Sequence, residues 1–170
     1  MPDWWPFQKK ESKAVDMKTM RAAQTALGQE IERQLAAGNS RQALLNQLAA
    51  EVAALEKQPP TPQTRARLYA LDASLAQLRS ELAHSLQMGR AHEMAGHTDE
   101  AMLFYETAVA DQIASRLPYE HLRVIYVRRR QYDAAQRICQ SALENPFLDA
   151  KTQAHFRAWA EKLNASSASE

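Results

Sequence analysis

The sequence predicts an all-α protein built of antiparallel helical hairpins, and three observations carry that prediction. Only 4 glycines occur in 170 residues, too few for a sheet that turns often. Runs of strong helix formers lie between short proline-containing breaks such as Pro59-Pro60-Thr61-Pro62. Every apolar stripe recurs at three-and-four spacing, the period of a helix face, and no segment alternates apolar and polar residues as a half-buried strand does.

An arm, residues 1–14, precedes the first helix. Pro2 and Pro6 deny it a regular helix, while Trp4, Trp5 and Phe7 give it a large apolar contact area, so it reads as a docking element. Three surfaces could receive it: a groove of its own chain, a partner protein, or a membrane surface helped by Lys9, Lys10 and Lys13.

Residues 15–58 read as a helical hairpin. Met17, Met20, Leu27, Ile31 and Leu35 share one face of its first helix. Gly38-Asn39 ends that helix, because glycine accepts the left-handed conformation, and Ser40 is placed to cap the second helix through its hydroxyl. Leu45, Leu48, Val52 and Leu55 form the second stripe, which stops at Pro59, since proline cannot donate the ladder hydrogen bond. Thr61 and Pro62 then supply a cap and a first residue for a long third helix that reaches about residue 95. Its leucines Leu68, Leu71, Leu75, Leu78 and Leu82 let it pack against two neighbours along a length of about 50 Å.

Gly96 stops the third helix, and Thr98 with Asp99 and Glu100 opens a fourth, the early acids matching the positive helix end. That helix carries Met102, Phe104, Tyr105, Ala108 and Val109. After Leu117-Pro118 a fifth holds Leu122, Ile125 and Tyr126; a sixth begins near Asp133, holds Ile138, Ala142 and Leu143, and ends at Asn145-Pro146. The seventh carries Leu148, Phe156, Trp159 and Leu163, and residues 165–170 read as a disordered tail of small and polar side chains.

Laid over itself with Ala101 on Ala135, the chain also places Ala108 on Ala142, Met88 on Leu122, Phe104 on Ile138 and Val109 on Leu143. This period and its helix-turn-helix content resemble the tetratricopeptide repeat, whose paired helices stack because neither buries its apolar face alone. One copy spans residues 82–115, with Met88, Gly89, Gly96, Ala101, Tyr105 and Ala108 on the family pattern. Ser85 stands where the pattern has tryptophan, and His92 replaces tyrosine. The second copy, residues 116–149, keeps Tyr119, Leu122, Tyr126, Tyr132, Ala135 and Ala142, but has Arg123 for the small glycine and Cys139 for the large aromatic. Gly38, Ala43 and Ala50 repeat the spacing of Gly96, Ala101 and Ala108, which marks the first hairpin as a more diverged copy.

The resemblance implies that residues 62–164 form a short solenoid with a long central helix and a C-terminal capping helix. It also implies a concave partner-binding face, lined first by Ala83, Leu86, Gln87, Arg90, Glu93 and Met94. Leu117, Glu120, His121, Val124, Val127 and Arg128 would continue that lining on the fifth helix. Some members of the family grip a carboxyl terminus with lysines, an asparagine and an arginine, and the matching positions here do not carry that set.

No catalytic constellation is legible, and the chain reads as a non-enzyme without a cofactor. His92 and His97 look at a glance like a zinc-protease pair, but they are five apart rather than four, about 140° round a helix, with Gly96 breaking it between them. His84, His121 and His155 have no clustered cysteine or carboxylate at ligand spacing and read as surface or packing residues, so no metal site is expected. Cys139 sits on the stripe of Ile138 and Ala142 and reads as a buried small hydrophobe. There is no glycine-rich phosphate loop.

Lys and Arg number 21 against 20 Asp and Glu, a formal charge of +1, so the basic footprint of a nucleic-acid binder is missing. The charge is unevenly placed: residues 112–170 hold 9 basic against 6 acidic, and residues 64–111 hold 4 against 7. This segregation, with the run Arg128-Arg129-Arg130, favours docking of an acidic peptide or self-association. No run approaches 18 uninterrupted apolar residues, no signal-peptide core is visible, and a single cysteine suits a reducing compartment. The sequence therefore points to a cytoplasmic adaptor or scaffold that binds another protein or peptide on its concave helical face. The alternative is an assembly subunit, a homo-oligomer formed through the leucine-rich helix 62–86.

Overall fold

The computed structural model describes residues 16–167; the expected docking arm with Trp4, Trp5 and Phe7 lies outside them. The described chain is all-α, with seven helices and no strand: α1 (Met17–Ala36), α2 (Arg41–Leu55), α3 (Pro62–Met94), α4 (Thr98–Ala110), α5 (Leu117–Arg128), α6 (Tyr132–Glu144) and α7 (Ala150–Ser167). Among the described residues no helix is long and apolar enough to cross a membrane.

The helix ends follow the local chemistry of the sequence. Ser40 Oγ accepts from Ala43 N at 3.2 Å and Thr61 Oγ1 from Thr64 N at 3.1 Å, each satisfying an amide that its helix leaves unpaired. Gly38 at φ 93° and Gly96 at φ 81° turn the chain through the left-handed region that favours glycine. Asp149, just ahead of α7, accepts from the backbone N of Thr152 at 2.8 Å and from its hydroxyl at 3.1 Å.

Two boundaries differ from expectation. Leu148 precedes α7 rather than belonging to it, because Asn145 folds a turn there by accepting from Phe147 N at 2.9 Å; Leu148 is nonetheless buried. Residues 165–167, read as part of a disordered tail, continue α7. Leu163, only 6% exposed, anchors that helix, and one further turn propagates beyond it at the cost of fixing few residues.

Helix α3, 33 residues long, serves two hydrophobic clusters. In the first, Leu27 of α1 and Leu44 and Leu48 of α2 meet Ala70, Leu71, Leu75 and Leu78 of α3. In the second, Leu82 of α3 joins Tyr105, Tyr119, Leu122, Ile138 and Phe156 of the following helices. Both α1 and α2 pack on α3; from there α3 packs on α4, α4 on α5, α5 on α6 and α6 on α7, while α3 also reaches α5 and α4 reaches α6. Leu71, Leu75, Leu78 and Leu82 are each at most 5% exposed, so most of the leucine stripe that self-association through residues 62–86 would use is already covered.

The two clusters are joined by a polar seam. Arg41, at the start of α2, donates from Nε to Glu81 Oε2 of α3 at 2.8 Å and from Nη1 to Asp111 Oδ1 at 2.9 Å. Gln42 N donates to the Asp111 carbonyl at 3.3 Å, and Gln42 Oε1 accepts from Ala114 N at 3.1 Å. Asp111 and Gln42 are each 7% exposed, and burial without these partners would cost about 1–3 kcal/mol per group.

Candidate functional site

The residues expected to line a binding face fall on one stripe of α3 and one of α5, two helices in contact. Ala83, Gln87, Arg90 and Met94 of α3 and Arg128 of α5 are exposed, Met94 at 87%. Leu86, Glu93, Leu117, Glu120, His121, Val124 and Val127 are half-buried. The stripe thus offers an apolar floor with charged and amide side chains above it, which suits contact with another polypeptide.

Both carboxylates of the stripe are engaged within the fold. Glu93 Oε2 accepts from the Tyr105 hydroxyl at 2.8 Å and lies 2.5 Å from His121 Nδ1, so α3, α4 and α5 meet at one carboxylate oxygen. Burial, followed by the bond to Glu93, drives the Tyr105 hydroxyl well above its ordinary pKa of 10. Glu120 is held by Arg123 on its own helix and by His155 of α7, whose Nε2 lies 2.9 Å from Glu120 Oε2; Arg116 approaches the same oxygen at 3.8 Å. Burial pushes the Glu120 carboxyl up, but the hydrogen bonds from Arg123 and His155 outweigh it and hold the group below its ordinary value of 4.5. His121 and His155, which sequence spacing left without carboxylate neighbours, therefore each face one, supplied by a different helix.

Arg123 is the departure with the largest structural effect. Aligned with Gly89 by the sequence resemblance, it is 5% exposed and lays its guanidinium 3.7 Å from the ring centre of Trp159 on α7. A cation over an indole in a desolvated site contributes about 2 kcal/mol. Arg123 with Glu120 and Trp159 locks α7 against α5.

The turns that follow α3 and α5 share their backbone geometry. Gly96 and Arg130 both have positive φ, 81° and 57°. Each turn repeats the same hydrogen bonds: Gly96 N to Glu93 O and His97 N to His92 O in one, Arg130 N to Val127 O and Gln131 N to Tyr126 O in the other. Residues His97 (φ −86°, ψ 68°) and Gln131 (φ −92°, ψ 66°) then enter α4 and α6 alike. Ala101, Ala108, Ala135 and Ala142 are all 0% exposed.

No protein-family model, no curated protein and no solved structure matches this chain.

Other sequence features take definite places. Cys139 is fully buried, and burial pushes its thiol up to about 11, which keeps it protonated and inert at neutral pH. The His92 and His97 rings, expected far apart round a helix, lie with centres 6.0 Å apart, because α3 ends at Met94 and the turn at Gly96 folds His97 back. Phe104 stacks on His92 at 5.4 Å, and among the described residues no group of three or more His, Cys, Asp or Glu is placed to hold a metal ion. Arg41, Glu81, His84, Ser85 and Asp111 border a cleft of about 340 Å³ beside the polar seam.

Sequence reasoning missed three groups that organise the site: Arg41, Asn145 and the Glu93–Tyr105–His121 cluster. Asn145, 0% exposed, donates from Nδ2 to the Gln112 carbonyl at 2.9 Å and lies 2.7 Å from the Tyr119 hydroxyl, pinning the α4–α5 turn to the end of α6. Its one legible signal was an asparagine before proline, which reads as a helix stop.

Proposed function

We propose that the chain is a tetratricopeptide-like helical-repeat adaptor, which binds a segment of another protein on the face shared by α3 and α5 and performs no catalysis of its own. The observation that carries this reading is the common spacing of the turns at Gly96 and Arg130 and of the fully buried alanine pairs, Ala101 with Ala108 and Ala135 with Ala142. The same pair of turn bonds also closes α1 at Gly38 and α4 at Gln112, so the turn chemistry is common to these helix ends, and it is the spacing of the turns together with the buried alanines that supports the repeat. Supporting it, the small residues of both copies are fully buried where paired helices approach, and α5 to α7 continue the stacking begun by α3 and α4. The face itself combines exposed Gln87, Arg90 and Met94 with half-buried Leu86, Val124 and Val127, the mixture that a protein-binding surface uses.

A photo-crosslinking side chain in place of Gln87, compared in the native cell with one in place of exposed Gln140 on α6, tests the assignment. Discrete capture of a partner from position 87 and none from position 140 is the expected result. Equal capture at both positions, or none at either, overturns it.

A further inference from the structure

We infer that the α3–α5 face receives an acidic segment of its partner, with Arg90 and Arg128 as the charge anchors; this rests on the adaptor reading above. Five ionisable side chains line the face: Arg90, Glu93, Glu120, His121 and Arg128. As a sequence they are nearly balanced, and a ligand of either sign would fit. The fold removes the balance. Glu93 is consumed by the Tyr105 hydroxyl at 2.8 Å and by His121 at 2.5 Å. Glu120 is consumed by Arg123 and by His155 at 2.9 Å. An arriving ligand meets two carboxylates already bonded within the fold, Glu120 through both oxygens and Glu93 through Oε2.

The arginines are in the opposite condition. Arg90 and Arg128 are both exposed on the face, and neither forms an ion pair or hydrogen bond with a carboxylate of the described chain. Arg129, next to Arg128, spends its charge on Asp99 at 2.5 Å instead. The charged side chains of the face without a bonded partner are therefore the two arginines, on two adjacent helices, and they lie beside exposed Met94 and half-buried Val124 and Val127. Two guanidiniums flanking apolar side chains complement a segment in which carboxylates flank an aliphatic residue; a basic segment would set like charges together and meet carboxylates already bonded within the fold.

His121 acquires a role in this arrangement without touching the ligand. By holding Glu93 it keeps a negative charge from turning toward the bound segment, and so acts as a positioning residue.

The probes are labelled synthetic dodecapeptides read by fluorescence anisotropy at low salt: one alternating Asp and Glu with Leu and Val, one with Lys in place of each acid, one with Gln. The acidic peptide is expected to bind, and to bind more weakly as salt rises. Arg90→Gln and Arg128→Gln should each weaken it about fivefold or more, while Arg157→Gln, at an exposed position of α7 away from the face, leaves it within about twofold. His121→Leu should weaken it although it removes no ligand contact, and adding Glu93→Gln should restore it. The inference is overturned if the acidic peptide does not bind, if the lysine or glutamine peptide binds as well, or if Glu93→Gln rather than Arg90→Gln abolishes binding. In any of those cases, persistent capture from position 87 would leave the adaptor reading standing, whereas loss of that capture would take both down.

Discussion

Gly89 lies flat against the ring of Tyr105: a Cβ placed on it would stand 2.5 Å from Cε1 and 2.7 Å from Cδ1. The proposed repeat aligns these two positions with Arg123 and Cys139, so that on its register the small and large members of the pair have changed places. Tyr105, Arg123 and Cys139 are all buried, and Arg123 is close enough for its charge to pull the Cys139 pKa down against the effect of burial. On the proposed register, Arg123 and Cys139 are thus one exchange of volume.

Gly89→Ala should destabilise the protein by about 1–2 kcal/mol, the overpacking exceeding the gain in helix propensity. Tyr105 cannot swing aside freely, because its hydroxyl is bonded to Glu93. Urea denaturation checks this, and Tyr105→Leu in the same background should recover most of the loss.

Arg123→Gly and Cys139→Tyr should each destabilise, by about 2–4 and 1–3 kcal/mol respectively, the first by stripping Glu120 and Trp159 of their partner and the second by overfilling. The double variant should lose less than the sum by about 1 kcal/mol or more, since the tyrosine then enters the space that the arginine vacates. A strictly additive cycle would show that the exchange of volume is not a compensation.

Ala101→Leu and Ala135→Leu, at positions 0% exposed, should each cost about 1–3 kcal/mol through overpacking between paired helices. Ala83→Leu on the exposed face should leave stability, read from the urea midpoint, within about 0.5 kcal/mol of the parent.

Stability should fall on both sides of neutrality. Glu81 and Glu120 are held below their ordinary value of 4.5, so their contribution is present above that pH and is lost as the pH falls through the lower, folded values. Tyr119 and Tyr126 are pushed by burial from 10 up to about 12, so an unfolded chain releases their protons first and stability declines as pH rises from about 10. Melting temperature against pH reads both limbs, and Glu120→Gln should lower the plateau while flattening the acid limb.

Much of the fold was legible because its determinants are local. Ser40, Gly38, Thr61 and Gly96 act on their immediate chain neighbours, and the leucine stripe of α3 declares its own period. The site was half legible. Helical spacing placed Arg90, Met94, Val124 and Arg128 on one face, but the state of Glu93 depends on His121, 28 residues away, and that of Glu120 on His155, 35 residues away. Arg41 meets Asp111 across 70 residues. Such pairs carry no spacing rule; they exist once the helices have been stacked and not before.

Because one unbroken helix, α3, contributes Leu71, Leu75 and Leu78 to one cluster and Leu82 to the other, the two clusters are joined by a shared helix and not by a linker. Repeat arrays are ordinarily modular, and units can be added or deleted at their joints. Here a cut inside α3 would instead part Leu71, Leu75 and Leu78 from Leu82 and break the helix on which both clusters rest. Limited proteolysis should accordingly release no stable N-terminal piece, and the amides of central α3 should exchange with solvent only when the whole molecule opens.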